Sequence, residues 1–241
     1  SYLLDTGSGR VLHARQPDLR FVPASVTKVM TAYVAFTEIA AGRLREDRVF
    51  PVDPALAATW NGRGTTLYLR GGDKVSAEVL LRGITTVSAN DAAMVLATGH
   101  AGSLAGWSAR MNAAARGLGM ANSHFATPNG WPDNGATFVT AHDLGLLATD
   151  LVRRHPVLYR RYFGQRSLTW HGVTQTNKDP LIGLFAGADG IKTGFTREAG
   201  YNYLGSAMRD GRRLVMVIGG ARSEGQRADA ARALMEWGFA A

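Results

Sequence analysis

The chain has 241 residues, no cysteine and a formal net charge of +8. Disulfides, thiolate nucleophiles and cysteine-held metal or iron–sulfur sites are thereby excluded, and the length suits one large domain or two small ones whose core needs no covalent staple. No apolar run approaches the roughly 18 residues of a membrane span, and Ser1 opens straight into a strand-like Tyr2-Leu3-Leu4, a start expected of a processed chain as well as of a cytosolic one.

In chain order, Tyr2-Leu3-Leu4-Asp5 and Arg10-Val11-Leu12-His13 flank Thr6-Gly7-Ser8-Gly9 and predict a β-hairpin. Beyond Pro23, the spacing of Val26, Val29, Met30, Tyr33 and Val34 predicts a helix from about Ser25 to Ala41. Arg43 to Gly72, rich in Gly and Pro, reads as loops with short strands. Helices follow over Ser76–Arg82, from Asn90-Asp91 to about Gly99, and from Ser103 to about Leu118. Asn122 to Thr137 holds Pro128, Asn129, Gly130, Pro132, Asn134 and Gly135 and reads as a long structured loop. A helix starting at Thr140 or His142 reaches about Arg153. Tyr201–Met208 and Arg213–Ile218 read as strands around the hairpin turn Arg209-Asp210-Gly211-Arg212, and a last helix covers about Glu224 to Trp237.

Strands at both ends and helices between them predict an α+β fold, with one antiparallel sheet drawn from both chain ends, flanked by helices, and a mainly helical insert. The expected organisation is a single domain, 1–241. Its sheet part covers about 1–45 and 185–241, and its helical part about 46–184.

Arginine carries the positive charge, since lysine occurs only as Lys28, Lys74, Lys178 and Lys192. The densest cluster, Arg153, Arg154, Arg160, Arg161 and Arg166, is interleaved with Tyr159, Tyr162 and Phe163 in a pattern that could stack on bases. No nucleic-acid module accompanies it, so it reads as a solvated helix face followed by a loop, and no nucleic-acid partner is expected. The six histidines show no metal-binding spacing, and neither metal nor cofactor is expected.

Three short motifs could carry chemistry. Ser25-Val26-Thr27-Lys28 puts a hydroxyl and an amine on one helix face, where an amine of depressed pKa can take the serine proton and a helix N-terminus can face an oxyanion. The same four residues also fit a capping serine beside an exposed lysine. Ser88-Ala89-Asn90, at a loop-to-helix junction, offers a hydroxyl and an amide to a cleft, or simply caps a helix. Lys192-Thr193-Gly194 fits a short strand at a cleft edge that binds a carboxylate and admits substrate backbone, or an ordinary turn.

In this order the three motifs are the set found in penicillin-binding proteins and serine β-lactamases. The chain resembles, almost end to end, the low-molecular-mass penicillin-binding proteins that act as serine D-Ala-D-Ala carboxypeptidases. Pro23-Ala24-Ser25-Val26-Thr27-Lys28-Val29-Met30 resembles their nucleophile helix, and Ser88-Ala89-Asn90-Asp91-Ala92-Ala93 their second motif. Met111-Asn112, Leu118-Gly119-Met120, His124-Phe125 and Asn129-Gly130 resemble their middle segment. Asp189-Gly190-Ile191-Lys192-Thr193-Gly194, Ala199-Gly200-Tyr201 and Trp237-Gly238-Phe239 resemble their last regions.

The resemblance implies a β-lactamase/transpeptidase-like fold, an α/β sandwich, and a role for each residue. Ser25 is the nucleophile, Lys28 its general base, and Ser88 a proton relay toward the leaving D-alanine. Asn90 binds the substrate amide. Lys192 and Thr193, with Gly194 at the strand edge, hold the terminal carboxylate. The backbone N–H groups of Ser25 and Phe195 form the oxyanion hole, and Arg227 adds a charge for the carboxylate.

The implied partners are peptidoglycan stem peptides ending in D-Ala-D-Ala and β-lactam antibiotics. The implied location is the periplasm or the outer cell-wall side, after loss of a signal peptide. Peripheral membrane association through a C-terminal segment absent from this sequence is also implied. Ala89, Phe195 and Trp131 depart from the Gly, His and Leu common in that family. Class A β-lactamases deacylate with a glutamate between the second and third motifs. None lies between Asn90 and Lys192, so slow penicillin turnover is expected. A D-Ala cross-link endopeptidase and an inactive wall-binding homologue stay open as readings.

Overall fold

The N-terminal hairpin forms from Tyr2–Asp5 (β1) and Val11–Ala14 (β2), in a computed structural model that describes residues 1–241. Its chain-end partners are Ala188–Thr196 (β7), Gly200–Arg209 (β8) and Arg212–Ala221 (β9). Together they make one five-stranded antiparallel sheet, ordered β2-β1-β9-β8-β7. Leu3 stands opposite Met216, so the first and last strands of the chain lie side by side, as expected from the sequence. β8 and β9 are joined by Asp210 and Gly211, both with positive φ, the geometry of a tight two-residue hairpin.

Alternation along these strands sorts their side chains into two layers. Leu3, Tyr203, Leu214 and Met216 face one side with Ala231 and Met235 of the last helix, Glu224–Ala240 (α8). Tyr2, Leu4, Ile191, Leu204, Val215 and Val217 join the other, larger core. Because both faces are covered, these strands read as continuous apolar runs rather than as a polar–apolar alternation.

The larger core is centred on Lys28–Ala40 (α1), a helix buried nearly all round. Around it lie Ala77–Arg82 (α3), Asn90–Ala101 (α4), Leu104–Gly117 (α5) and Ala141–Arg154 (α6). The helix expected to begin at Ser25 starts instead with a 3₁₀ turn, Ala24–Thr27, and becomes α-helical at Lys28. The region 43–72 is less irregular than expected. Besides the strand Val49–Pro51 (β3), which pairs with Lys74–Ser76 (β4), it contains the helix Pro54–Trp60 (α2). Asp53 caps that helix by accepting from the N–H groups of Ala55 and Leu56.

Two more elements escaped the sequence reading. Pro156–Tyr162 (α7) follows α6, and a small hairpin pairs Ser167–Trp170 (β5) with Val173–Thr176 (β6). In α7, Tyr159 and Tyr162 are buried, as is Phe163 just beyond it, so they stack with one another and with Phe36 in the core rather than offering faces to a nucleic acid. Arg161 pairs with Glu46, and Arg154 with Asp150. No helix is long and apolar enough to cross a membrane.

Candidate active site

The first motif is set by the turn that precedes α1. Ala24 has a φ of 49° and Ser88 a φ of 68°, so both motif junctions use a left-handed conformation that costs a non-glycine residue free energy. Ser25 sits in the 3₁₀ turn and lines a cleft of about 670 Å³, while Lys28, 1% exposed, starts the α-helix.

The Lys28 Nζ lies 2.9 Å from Ser25 Oγ, 2.8 Å from Asn90 Oδ1 and 2.8 Å from the carbonyl oxygen of Asn129. Burial, and then the nearby charge of Lys192, hold this amine well below the ordinary lysine range, opposed by Asp91. A neutral amine has two N–H groups and one lone pair. The two carbonyl oxygens carry no proton, so they take the two N–H groups. The lone pair is left for the Ser25 hydroxyl, which is the arrangement a general base needs.

The partners of Lys28 are themselves fixed. Asn90 donates from Nδ2 to the Arg63 carbonyl at 3.0 Å, and its backbone N–H donates to Thr65. Asp91 beside it accepts from the backbone of Leu67, Leu69 and Ala92, so the start of α4 holds the 63–69 loop along the cleft. Burial pushes the Asp91 carboxyl up. The Asn129 carbonyl reaches Lys28 because Gly130 follows it. A Cβ at Gly130 would run into the Ala24 carbonyl. Ser88 lines the same cleft, after a single π-helical turn, Gly83–Val87.

The opposite wall is β7. Lys192 is 5% exposed, and its Nζ donates to the Thr193 carbonyl at 3.0 Å. Burial brings its pKa down to about 7, against the pull of Asp179 and with the push of Arg227 and Lys178. Phe195 is exposed and packs on Tyr201, with ring centroids 4.2 Å apart, at the cleft rim. The Arg227 guanidinium lies 5.7 Å from the Tyr201 ring and donates to Glu224 at 3.0 Å, while its buried Nε has no partner.

Thus Ser25, Ser88, Asn90, Lys192, Thr193, Gly194, Phe195 and Arg227 line one cleft, with Lys28 bonded under it. Thr65, Trp131, Asn177, Lys178 and Glu224 share the lining without having been singled out as site residues. Trp131, noted only as a departure, stands edge-on to Trp60, 5.3 Å between centroids. A larger hollow of about 910 Å³, between β9 and α8, contains none of the proposed site residues.

This geometry is a serine hydroxyl touching a buried amine, a polar amide on one wall and a cationic end on the other. The model of the S11 peptidases, described as D-alanyl-D-alanine carboxypeptidase, matches residues 1–223. The chain belongs to that family. It is 36% identical over 240 residues to the D-alanyl-D-alanine carboxypeptidase DacD of Salmonella typhimurium, covering 98% of this chain and 61% of that protein. The chain thus spans about three fifths of the length of this curated relative.

Among solved structures, penicillin-binding protein 6B from Escherichia coli superposes with a TM-score of 0.93 at 35% identity, covering 99% of this chain and 76% of that one. Penicillin-binding protein D2 from Listeria monocytogenes, solved in its ampicillin-bound form, gives 0.88 at 29% identity, covering 99% and 95%. The fold is therefore the β-lactamase/transpeptidase fold that the motif order implied.

Proposed function

We propose that the chain is the catalytic part of a serine D-alanyl-D-alanine carboxypeptidase acting on peptidoglycan stem peptides. The observation that carries this reading is the contact set of Lys28, 2.9 Å from Ser25 Oγ and 2.8 Å from each of two carbonyl oxygens, which in the neutral amine leaves the lone pair to the Ser25 hydroxyl. Ser25 Oγ attacks the carbonyl carbon between the two D-alanines, and its proton passes to Lys28 Nζ. The oxyanion forms at the N–H groups of Ser25 and Phe195. The C–N bond then breaks. Ser88, which lines the cleft with Lys192, gives its hydroxyl proton to the departing amine and takes back the proton held by Lys28, leaving an ester on Ser25 and a neutral amine. Water hydrolyses that ester and frees a peptide shortened by one D-alanine.

Lys192, Thr193 and Arg227 bind the terminal carboxylate, and the unpartnered Nε of Arg227 is a donor already desolvated for it. Asn90 binds the backbone amide through a side chain whose orientation Lys28 fixes. A β-lactam offers the same carboxylate and a strained amide, so it acylates Ser25 too. Its ester is long-lived, because the one glutamate lining the cleft, Glu224, is engaged by Arg227. The substrate places the reaction outside the cytoplasm.

Intact-mass measurement after brief incubation with benzylpenicillin, with the adduct mapped by digestion, tests the reading together with a D-alanine release assay. One stable adduct on Ser25 and release of free D-alanine are expected. Penicillin hydrolysed without an adduct would overturn it in favour of a β-lactamase. Penicillin left intact without an adduct would overturn it in favour of an inactive wall-binding homologue.

A further inference from the structure

Asp179 lies in the turn that leaves the β5–β6 hairpin, directly after Asn177 and Lys178, which line the cleft. Its carboxylate is engaged on one side only. Oδ1 accepts from the backbone N–H of Leu181 at 2.9 Å and of Ile182 at 3.1 Å, and from the Tyr203 hydroxyl at 3.0 Å. Oδ2 is sealed from solvent and has no partner. The Tyr203 hydroxyl also lies 3.1 Å from the carbonyl oxygen of Gly190, two residues before Lys192, and Tyr203 stands opposite Thr193 in the β7–β8 register. One phenol thus ties the carboxylate to the strand that carries Lys192 and Thr193.

A desolvated carboxylate oxygen without a partner is costly. The groups around Lys192 show what offsets that cost. The nearby positive charges are Lys28 on α1, Arg227 on α8 and Lys178 in the same turn as Asp179. All three are basic, and Asp179 is the acid among them. Burial pushes the Asp179 carboxyl up, while its three donors and Lys192 pull it back toward the charged form.

We propose that Asp179 is a positioning residue for substrate binding: its carboxylate anchors the 177–182 turn to β7 and keeps Lys192 an ammonium able to hold a terminal carboxylate. The substrate half of this inference rests on the carboxypeptidase reading. The link from the Asp179 carboxylate through the Tyr203 hydroxyl to the strand of Lys192 does not.

Asp179→Asn keeps the shape and the Oδ1 acceptor and removes the charge. In that variant the alkaline limb of kcat/KM for D-alanine release is expected to move to lower pH by about 1 unit. At a fixed pH above the limb, KM rises while kcat holds, and the thermal midpoint stays near that of the parent. The alkaline limb of benzylpenicillin acylation, which needs no D-alanine release, is expected to move with it. A parent that releases no D-alanine therefore sinks the carboxypeptidase reading, and the acylation limb still decides the role of Asp179. An unmoved limb in folded Asp179→Asn overturns the proposal, because a residue that only braced the turn would change stability and leave the limb in place. Should Asp179→Asn not fold, Tyr203→Phe keeps the charge but frees it from β7. A smaller shift in the same direction supports the proposal, and none overturns it.

Discussion

A Cβ placed on Gly194 would lie 3.1 Å from the backbone nitrogen of Ser25 and 2.5 Å from the carbonyl oxygen of Pro23. Strand β7 and the nucleophile turn are therefore in backbone contact, and only a residue without a side chain allows it. That contact sets the distance between the N–H groups proposed to receive the oxyanion. Gly194→Ala is expected to push the turn off the strand. Acylation by benzylpenicillin should fall by about 10²–10³, the loss typical of one misplaced oxyanion donor, for about 1–3 kcal/mol of stability. Stopped-flow acylation and thermal unfolding measure the two. Unchanged acylation would show that the Gly194–Ser25 contact does not set the oxyanion site.

Lys28→Met replaces the proposed base with a side chain of similar length and no proton acceptor. Acylation should slow by about 10²–10⁴, the usual share of a general base, while the folded chain persists. The acid limb of the pH–rate profile carries more information. Lys28 works only when neutral and its pKa is lowered by burial. Activity in the parent should thus fall as pH drops through that lowered pKa, and the limb should vanish in Lys28→Met. A limb that survives the substitution belongs to another group.

Much of this site was legible because its chemistry sits in side chains at short spacings. Ser25 and Lys28 are three apart, Ser88 and Asn90 two apart, and Lys192 and Phe195 share one strand. What the sequence hid was of two kinds. Backbone groups have no letter of their own, so the Asn129 carbonyl that completes the Lys28 contacts could not be read, although Gly130 marks where the chain approaches closely. Partners brought in by topology were also hidden. Asp179 follows a hairpin of two four-residue strands, of which the first alternates for only one turn of the pattern and the second, Val173–Thr176, is largely polar and exposed. In the fold, α2 was missed although Asp53-Pro54 is a regular helix start, because the glycines around it drew the reading toward loops. The sheet was legible at both chain ends because its strands are apolar on both faces and short turns separate them.

Lys192 makes opposite demands at the two ends of the pH range. It must be charged to hold a carboxylate, and with a pKa of about 7 it loses that charge as pH rises through neutrality in the free enzyme. The parent's kcat/KM, which reports the free enzyme, should decline on that side. Lys192→Ala should remove the alkaline limb and weaken carboxylate-bearing substrates far more than esters that lack the group. It should also act on Lys28. Lys192 helps to hold the Lys28 amine low, so its loss should move the acid limb upward by about 1 unit. A pH titration of acylation in parent and variant separates the two effects, and an acid limb that stays in place would mean the two amines are not coupled.

The far end of α1 carries a different pH dependence, in stability rather than catalysis. Glu38 is buried near the C-terminus of the helix that Lys28 begins, and it receives Arg43 at 2.8 Å, Arg110 at 3.0 Å and the Nε2 of His100 at 3.0 Å. The Nδ1 of His100 in turn accepts from Arg48, so three side chains, from the loop after α1, from α4 and from α5, meet on one carboxylate and Arg48 backs one of them. Arg43 above all holds its pKa down to about 2, from 4.5 in the open chain. The folded value is the lower one, so this contribution is complete above pH 4.5 and is lost as pH falls from there through about 2. At 1.36 kcal/mol per unit the shift sets a ceiling of about 3 kcal/mol. Arg43 and Arg110 are 58% and 41% exposed, so screening should leave about 1–2 kcal/mol. Glu38→Gln should therefore cost about that much in urea unfolding at pH 7 and progressively less toward pH 3, where the parent loses the same interaction. Acylation of Ser25 at pH 7 should be unchanged, since no group of the cleft touches Glu38. A stability difference that does not shrink with acid would assign the clamp to packing rather than to charge.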